Sequence, residues 1–334
     1  MLRIGIVGAG TRGQLYARAL RAVPGVEIAG IADSSPEVAQ RAQQALGVPA
    51  YPSHHELFGQ PSLDAAVIAT PDFAHYAPAL DAIHAGLHLL IEKPLATDVQ
   101  QAYELRDAAR AAGVQCMVAF ENRWNPAFVR AHELVRTGAI GEVLTQSVRL
   151  SNSYAVPMQM LSWSRLTSPA WFLMSHTVDL AIWLSGKRPR TVYATGFKRE
   201  LAARGVDTWD AVHALLTFAD GTTANLESLW ILPEAMPTVV DFTYELVGSR
   251  SALVVDQPPH THLVDAQHSR WLPTSEVEVD GRLQGFPTWM SEAFARRLLD
   301  GEPLTPTIDE GVLVTEVVQA IHDSLGDGMP HQIE

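Results

Sequence analysis

A glycine-rich turn stands between two apolar runs at the start of the chain. The segment Gly8-Ala9-Gly10-Thr11-Arg12-Gly13 follows the run Arg3–Val7, and Asp33 ends the next run, Val26–Ala32, twenty residues after the last glycine. A lone G-x-G-x-x-G is weak evidence, but strand, glycine turn, helix, second strand and terminal acid in this order form a dinucleotide-binding fingerprint. The pattern therefore predicts a Rossmann βαβ unit here.

Each residue of the turn has an expected role toward the cofactor. Gly8 permits the tight turn, Gly10 lets the backbone approach a pyrophosphate, and Gly13 lets the helix pack close to the strand. Thr11 and Arg12 lie beside them at the N-terminus of the helix, where the helix dipole favours phosphate. All of these residues are candidates for cofactor binding.

Asp33 distinguishes the two nicotinamide cofactors. Its carboxylate can accept hydrogen bonds from both ribose hydroxyls of NAD but would repel the 2′-phosphate of NADP. The residues that follow, Ser34-Ser35-Pro36-Glu37, contain no arginine for a phosphate and predict instead a helix cap with proline at the first helical position. We expect NAD rather than NADP, the alternative being that Asp33 only ends a strand in a turn.

The N-terminal part alternates short apolar runs with amphipathic helical stretches, which predicts a doubly wound parallel sheet with helices on both faces. The predicted strands are Arg3–Val7, Val26–Ala32, Ala65–Ala69, His88–Ile91 and Gln115–Ala119. The predicted helices are Gly13–Arg21, Glu37–Leu46, Tyr76–Ala85 and Asp98–Ala112. Thr97-Asp98-Val99-Gln100 is expected to form a capping box at the start of the last of them.

From about Glu142 the pattern changes to longer alternating stretches, which predict a large, mostly antiparallel sheet. The predicted strands are Val143–Leu150, Thr191–Phe197, Ala211–Phe218, Thr222–Leu232, Val239–Val247 and Ala252–Val255, and the predicted helices are Ala170–Leu184, Thr288–Leu299 and Glu310–Leu325. Asp220-Gly221 is expected to be a two-residue hairpin turn. The prediction is an α/β chain with a Rossmann domain over residues 1–120 and a second α/β domain with an open sheet over residues 121–334.

Composition argues against several classes of protein. The chain has 334 residues, enough for two domains, and 47% of them are hydrophobic, which is ordinary for a globular protein with a sizeable core. The formal charge of −13 argues against nucleic acid or an anionic membrane as a partner. The lone cysteine, Cys116, cannot form an intrachain disulfide and is expected to be a buried thiol. Because no signal peptide or bilayer-spanning segment is recognisable, the expected compartment is the cytoplasm.

A second motif, Glu92-Lys93-Pro94, directly follows the fourth predicted parallel strand. Ligands of such sheets bind at the carboxyl ends of the strands, so Lys93 is expected to point toward the cofactor crevice. There it can hydrogen-bond a substrate hydroxyl, hold the ribose or stabilise a developing alkoxide. The alternative is a solvated lysine in a turn.

These motifs and several others resemble those of the Gfo/Idh/MocA oxidoreductases, and the resemblance covers essentially the whole chain. It rests on the glycine fingerprint, Ala69-Thr70-Pro71 with His75, Gly86 before Glu92-Lys93-Pro94-Leu95-Ala96, Arg123 with Asn125-Pro126, His176-Thr177-Val178-Asp179, Phe218-Ala219-Asp220-Gly221, and Thr305-Pro306 with Glu310-Gly311. The resemblance implies a tightly held nicotinamide, a carbohydrate-like substrate, and a C-terminal sheet that forms the interface of a homodimer or homotetramer.

The resemblance also implies roles for single residues of the N-terminal domain. Lys93 is implied to contact both the substrate and the nicotinamide. Thr70, Pro71, His75 and Glu92 are implied to belong to the cofactor site.

In the second domain, His176 is implied to transfer the proton, a task that suits a side chain with a pKa near neutrality. Many sugar dehydrogenases of the family have Asp four residues before this histidine and Gly two before it, where this chain has Phe172 and Met174. An Asp one helical turn away could orient the substrate or tune the imidazole, and Phe172 can do neither. The alternative for His176 is a core histidine satisfied by a hydrogen bond, and Asp179 is expected to be a structural anchor.

Two further groups of residues are candidates for substrate binding. Trp163, Arg165 and Trp171 stand just before His176, and aromatic faces stack on sugar rings while arginine binds hydroxyls or a carboxylate. The alternative is a loop that lines the core or contacts another subunit. Asn122 and Arg123 follow the fifth predicted strand at its carboxyl end.

The histidines do not predict a metal site. His260, His262 and His268 lie near Asp265, which could in principle suit zinc, but the prolines and polar residues around them favour a surface connection. His54-His55 shows no partner pattern, and no metal is expected.

The leading function is an NAD-dependent dehydrogenase that acts on a sugar, polyol or sugar-derived acid. The alternatives are a glycosidase of the redox-elimination kind, in which bound NAD transiently oxidises the sugar, and a cofactor-binding regulator without catalysis. Net turnover of the cofactor separates the first from the other two. No spacing in the sequence indicates which substrate is used.

Overall fold

The computed structural model describes residues 1–257, 261–264, 269–272 and 275–333. The helices are α1 (Thr11–Arg21), α2 (Pro36–Leu46), α3 (His54–Phe58), α4 (Tyr76–His84), α5 (Val99–Ala112), α6 (Pro126–Arg136), α7 (Ser175–Ser185), α8 (Glu200–Ala203), α9 (Phe286–Asp300) and α10 (Ile308–Asp327). The strands are β1 (Leu2–Val7), β2 (Val26–Ala32), β3 (Ala50–Tyr51), β4 (Ala65–Ile68), β5 (His88–Ile91), β6 (Cys116–Val118), β7 (Val143–Asn152), β8 (Pro189–Phe197), β9 (Ala211–Phe218), β10 (Thr223–Leu229), β11 (Val240–Gly248), β12 (Ala252–Gln257), β13 (Thr261–Val264), β14 (Ser269–Leu272), β15 (Val277–Val279), β16 (Arg282–Gln284) and β17 (His331–Gln332). Within these ranges, none of the helices is both long and apolar enough to cross a bilayer.

The chain forms two compact units, and each is assembled from separate stretches of sequence. The first contains Met1–Trp124 and Ser275–Thr315, and the second contains Asn125–Thr274 and Glu316–Glu334. Residues 275–315 therefore return to the unit that holds the glycine turn. The division into residues 1–120 and 121–334 stays a prediction.

The first unit is built on a parallel sheet with the strand order β3-β2-β1-β4-β5-β6. This order reverses direction at β1 and β4, as in a doubly wound Rossmann sheet, and confirms the predicted fold class. The central strands are buried on both faces, with Ile4 and Ile6 fully covered. Met290 and Phe294 of α9 belong to the same apolar cluster, so this late helix completes the core of the N-terminal unit. Cys116 is buried as expected, and burial raises the pKa of its thiol to about 12.

Two local predictions near the first sheet have different outcomes. Ser35 caps α2 as expected, with its hydroxyl accepting from the N–H of Val38 at 3.4 Å and Pro36 at the first helical position. The predicted capping box at Thr97 is wrong by one residue. Asp98 is the cap of α5, and its carboxylate accepts from the N–H of Gln101 at 3.0 Å. A short carboxylate reaches this N–H as well as a hydroxyl does, so the sequence pattern alone could not separate the two caps.

The second unit is built on a sheet with the strand order β12-β11-β7-β10-β9-β8-β17. Only the pair β7 and β10 is parallel among these neighbours, which confirms a mixed, mostly antiparallel sheet. Its strands alternate between buried residues such as Leu216 and Tyr244 and exposed residues such as Leu215 and Glu245. One face of the sheet is covered by α7, where the side chain of Gln146 donates to a carbonyl of that helix, and the other face is open.

The hairpin between β9 and β10 differs from the prediction. Phe218 and Thr222 pair across the turn, so the loop has three residues, Ala219-Asp220-Gly221, instead of the predicted two. Gly221 has φ +83°, the conformation that closes a three-residue hairpin loop with a bulge. The Asp-Gly pair marks both kinds of loop, so the sequence located the turn but not its length.

Candidate active site

The glycine turn of the first unit has the geometry that its fingerprint requires. Gly8 has φ +96°, and a Cβ on it would lie 2.4 Å from the carbonyl oxygen of Ala69. A Cβ on Gly13 would lie 1.8 Å from the carbonyl oxygen of Gly8. Gly10 differs, because a Cβ there would meet none of the described atoms within 4 Å. The space before Gly10 and the N-terminus of α1 is therefore open, and a pyrophosphate fits the N–H groups that this turn presents.

Asp33 is fixed at the end of β2 by two backbone groups. Its Oδ2 accepts from the N–H of Ala9 at 2.9 Å, and its Oδ1 accepts from the N–H of Ser35 at 2.9 Å. These bonds tie the acid to the glycine turn and to the cap of α2. Each carboxylate oxygen accepts more than one hydrogen bond, so both retain capacity for ribose hydroxyls. Thr11 stands nearby, exposed at the first position of α1.

Arg12 binds carboxylates of its own unit. Its guanidinium donates to Glu121 at 2.8 Å and to Glu276 at 3.4 Å, and its Nε lies 3.7 Å from Glu92. Glu92 also accepts a hydrogen bond from the hydroxyl of Tyr16. The cluster joins the first helix of the glycine fingerprint to the ends of β5 and β6. The role of Arg12 toward a cofactor stays a prediction.

Lys93 follows β5 at the carboxyl edge of the sheet and is buried. Its backbone N–H donates to Oε2 of Glu92 at 3.0 Å. Burial lowers the pKa of Lys93, while the carboxylates of Glu92 and Glu121 oppose that shift. Burial likewise raises the pKa of Glu121. An ammonium placed among carboxylates in this way can stabilise negative charge on a neighbouring oxygen or exchange a proton with it.

The residues after β6 form a short 3₁₀ turn, Glu121–Trp124. Asn122 is buried in it, and Arg123 donates to Glu310 at 2.6 Å while its guanidinium lies 5.8 Å from the ring centre of Phe120. Arg123 thus ties this turn to the start of α10, and contact of either residue with a substrate stays a prediction. Glu121 was missed from the sequence, although it follows the same strand as Asn122 and meets the same positional rule.

His75 holds the loop after β4 against the turn that contains Lys93. Its Nδ1 lies 2.7 Å from the carbonyl oxygen of Pro94, and its Nε2 lies 3.0 Å from the carbonyl oxygen of Thr70. Burial lowers the pKa of His75, while these carbonyls favour a proton on the ring. Thr70 donates its hydroxyl hydrogen to Ala74 at 3.0 Å, and Pro71 precedes the 3₁₀ turn Asp72–Ala74. The contacts found for His75 are therefore to backbone, and its contact with a cofactor stays a prediction.

His176 lies in the second unit, near the start of α7. The predicted helix from Ala170 consists of a π-helical turn, Ala170–Met174, followed by α7. Over residues 167–181, Phe172 and His176 are the two residues that are not buried. Over this stretch, the accessible side chains are therefore one aromatic ring and one imidazole.

The aromatic residues near His176 have different surroundings. The rings of Trp163 and Phe172 meet edge to face, with their centres 6.0 Å apart. The ring of the fully buried Trp230 also contacts Phe172, with the centres 5.8 Å apart. Trp171 is buried and stacks on His322 at 4.9 Å, so its ring belongs to the core of the unit. Arg165 is exposed in the turn before the π segment. The structure thus joins Trp163 to Phe172, a contact that sequence spacing had not indicated, and substrate binding by Trp163, Arg165 and Trp171 stays a prediction.

His54 and His55 do have a partner, which corrects the expectation from the sequence. His54 Nε2 lies 2.9 Å from Asp81 Oδ2, and His55 Nδ1 lies 3.5 Å from the same oxygen. Asp81 stands on α4, distant in sequence, so no local pattern could reveal it. The side chains of His260, His262, Asp265 and His268 lie outside the described residues.

Known families and proteins resemble this chain along most of its length. Residues 2–120 match the family model described as oxidoreductase family, NAD-binding Rossmann fold, and residues 128–254 match that of the GFO/IDH/MocA C-terminal domain. An inositol 2-dehydrogenase of Acidothermus cellulolyticus is 32% identical over 232 residues, which are 68% of this chain and 65% of that protein. A D-xylose 1-dehydrogenase (NADP(+)) of Haloferax volcanii is 29% identical, with 92% of each chain covered. The crystal structure of GenD2 from gentamicin A biosynthesis, in complex with NAD, is 25% identical with a TM-score of 0.85 over 100% of this chain and 96% of that one.

Proposed function

This chain belongs to the Gfo/Idh/MocA family of oxidoreductases, and from that premise we propose that it oxidises a secondary hydroxyl of a sugar, polyol or sugar-derived acid with NAD. The observation that carries the proposal is the open space before Gly10, bordered by the fixed carboxylate of Asp33. The relatives named inositol 2-dehydrogenase and D-xylose 1-dehydrogenase support a hydroxylated, ring-shaped substrate.

The residues that would hold the cofactor are those of the glycine turn and the edge of the first sheet. The N–H groups around Gly10 would bind the pyrophosphate, Asp33 a ribose, and Glu92 and Lys93 the nicotinamide end. When bound, NAD supplies the acceptor for the hydride that leaves the alcohol carbon. Asp33 favours NAD over NADP because its two oxygens accept from ribose hydroxyls and would repel a phosphate.

Proton transfer falls to His176 and Lys93. His176 would accept the hydroxyl proton of a bound alcohol. Lys93 would donate a hydrogen bond to an oxygen beside the nicotinamide end of the cofactor and would stabilise negative charge that develops on it. The lowered pKa of Lys93 makes its ammonium a better proton donor than an exposed lysine would be.

We also propose that the open face of the second sheet is covered by another copy of the chain. The face exposes apolar side chains that alternate with the buried ones: Tyr193, Phe197, Leu215, Val247 and Val254. A concave region of about 620 Å³ lies on this face, with Tyr193, Leu215 and Asn225 in its lining. Polar side chains such as Arg149 and Glu227 line the same region, and exposed apolar side chains on an open sheet face are a feature of interaction surfaces.

The experiment is to measure reduction of NAD, and separately of NADP, by the purified protein on aldoses, inositols, anhydrosugars and sugar acids. We expect turnover with NAD, and a loss of about a hundredfold or more for Lys93→Ala with NAD binding nearly intact. The control is Lys198→Ala, which removes an exposed lysine paired with Asp207 and should leave turnover and NAD binding unchanged. Asp33→Ala should weaken the binding of NAD more than the binding of NADP.

Each part of the proposal has a contrary outcome. Unchanged turnover in Lys93→Ala would remove that lysine from the mechanism. If Asp33→Ala lowers the affinities for NAD and NADP equally, Asp33 does not select NAD over NADP. If NAD binds but no substrate gives net reduction, the dehydrogenase proposal fails. Release of an aglycone without net NADH would then identify redox elimination.

A further inference from the structure

The stretch around His176, residues 167–181, leaves few polar groups accessible. Every residue from 167 to 181 is buried apart from Phe172 and His176. A substrate that presents a hydroxyl to His176 therefore meets, along the same helix, a benzyl side chain that can neither donate nor accept a conventional hydrogen bond.

The π turn sets the two side chains one above the other. An α-helix turns 100° per residue and a π turn somewhat less, roughly 80°, so the four steps from Phe172 to His176 add up to about 360°. The rise over four residues is about 6 Å. By this helix geometry we expect Phe172 and His176 on the same side of the helix, about one turn apart.

Phe172 is held in place by other aromatic rings. Trp163 contacts it edge to face at 6.0 Å, and Trp230 supports it at 5.8 Å. The indole N–H of Trp230 donates to Asn152 at 3.3 Å, so the polar atom of that ring is satisfied away from Phe172. The ring of Phe172 is therefore a fixed apolar surface.

The segment that carries Trp163 also exposes apolar side chains. Met158, Met160 and Leu166 are 37%, 64% and 58% exposed. Apolar side chains exposed close together in sequence, in the segment that also carries Trp163, favour a ligand with an apolar part. An inositol or a free sugar would bring a hydroxyl to this surface and lose a hydrogen bond to water there.

On the basis of the proposed function, we infer that the substrate is a glycoside with an apolar aglycone, whose sugar hydroxyl faces His176 and whose aglycone packs on Phe172 and Trp163. The aglycone would be an aryl or alkyl group, and the sugar ring would span the helical turn between the two side chains. Phe172 would then be a specificity-determining residue, since it selects the substituent and takes no part in proton transfer.

The test compares matched sugars on the full-length protein with NAD. Glucose, galactose and xylose are each offered as the free sugar, the methyl glycoside and the phenyl glycoside. For at least one sugar, we expect kcat/KM to rise about tenfold or more from the free sugar to the phenyl glycoside, because the aryl group leaves water. Binding of the phenyl glycosides to the NADH-loaded protein, measured by calorimetry, provides a readout that does not need turnover.

Two substitutions at one position separate apolar packing from polarity. Phe172→Leu keeps an apolar side chain and should retain most of the preference for the phenyl glycoside. Phe172→Asp should lower that preference about tenfold or more, because a carboxylate disfavours burial of an aryl group. Val129→Asp introduces the same acid at an exposed apolar residue of α6 and should leave the preference unchanged.

The outcomes distinguish this inference from the proposed function. Oxidation of free sugars as efficiently as phenyl glycosides would overturn the inference and leave the dehydrogenase proposal standing. Binding of phenyl glycosides that Phe172→Asp weakens, without any NADH formation, would support the inference and count against the proposed function. If phenyl glycosides neither bind nor react while another substrate is oxidised, the inference is wrong.

Discussion

A methyl group added at two glycines of the same turn should have opposite effects on stability and cofactor binding. In Gly13→Ala the new Cβ would lie 1.8 Å from the carbonyl oxygen of Gly8, a distance that real Cβ contacts essentially never show. Both atoms belong to backbone or are fixed to it, so no rotamer change relieves the clash. In Gly10→Ala the new Cβ meets no described atom within 4 Å, and φ −71° with ψ −164° suits alanine.

The magnitudes follow from these contacts. Overpacking costs about 1 to 3 kcal/mol, and the upper end applies because the clash is with backbone. The better helix propensity of alanine returns up to about 1 kcal/mol, so we expect Gly13→Ala to lose about 2 kcal/mol. At about 2 to 4 °C per kcal/mol, Tm should fall by about 4 to 8 °C. Gly10→Ala should change stability by less than about 1 kcal/mol, the difference between glycine and alanine at a helix N-cap. It should raise the Kd for NAD at least about tenfold, since the methyl group occupies the space of the pyrophosphate.

Thermal unfolding with and without NAD measures both effects. A ligand at a hundred times its Kd stabilises a protein by about 2.7 kcal/mol, so the wild type and Gly13→Ala should show a clear NAD-dependent shift, and Gly10→Ala a reduced one. Gly326→Ala, in α10, is a control with open space around the new methyl among the described atoms, and it should be neutral or slightly stabilising. Wild-type NAD affinity in Gly10→Ala would refute the placement of the pyrophosphate at this turn.

Two further predictions concern the second unit. Burial lowers the pKa of His322, whose Nδ1 donates to the carbonyl oxygen of Val318 at 2.8 Å. As the pH falls, the histidine of the unfolded chain therefore takes up a proton near the usual pKa of about 6.5, and the histidine of the folded chain does not. The free energy of unfolding should therefore fall as the pH decreases through about 6.5, and it should fall less steeply in His322→Gln. Denaturant titrations at several pH values measure this dependence, and the same dependence on pH in both proteins would contradict the prediction. For the proposed subunit interface, light scattering should find an oligomer that Leu215→Lys weakens at least about tenfold with unchanged circular dichroism; a monomeric wild type would exclude the interface.

The fold could be predicted where the sequence carries a periodic signal. The buried runs that became β1 and β4 and the alternating run of β9 were visible from hydrophobicity alone, and the order of glycines and acid fixed the sheet type. The strand β3 was not predicted, because two residues are too short to show any period. The shift of the cap to Asp98 and the extra residue in the hairpin at Gly221 depend on geometry at the scale of one residue, which hydrophobic pattern does not specify.

The candidate site divides in the same way. Gly10, Asp33 and Lys93 could be found because their positions follow from strand ends and a local motif. Glu121 obeys the same positional rule, but its pairing with Arg12 depends on two segments that meet only in the folded unit. Likewise, Asp81 beside His54 and Trp230 behind Phe172 are separated from their partners by long stretches of chain, so sequence distance hides them.

The return of α9 to the first apolar cluster determines when that cluster can be completed during synthesis. Met290 and Phe294 pack with Ile4 and Leu20, yet the ribosome makes them only after nearly the whole second unit has been translated. Nascent chains grow at about 5 to 20 residues per second, so the stretch from Trp124 to Phe294 takes about 8 to 34 seconds to make, and until then part of the core of the dinucleotide-binding half is uncovered. A chain that ends after residue 124 lacks those covering side chains. By the time α9 is made, every strand of the second sheet except β17 has already been translated.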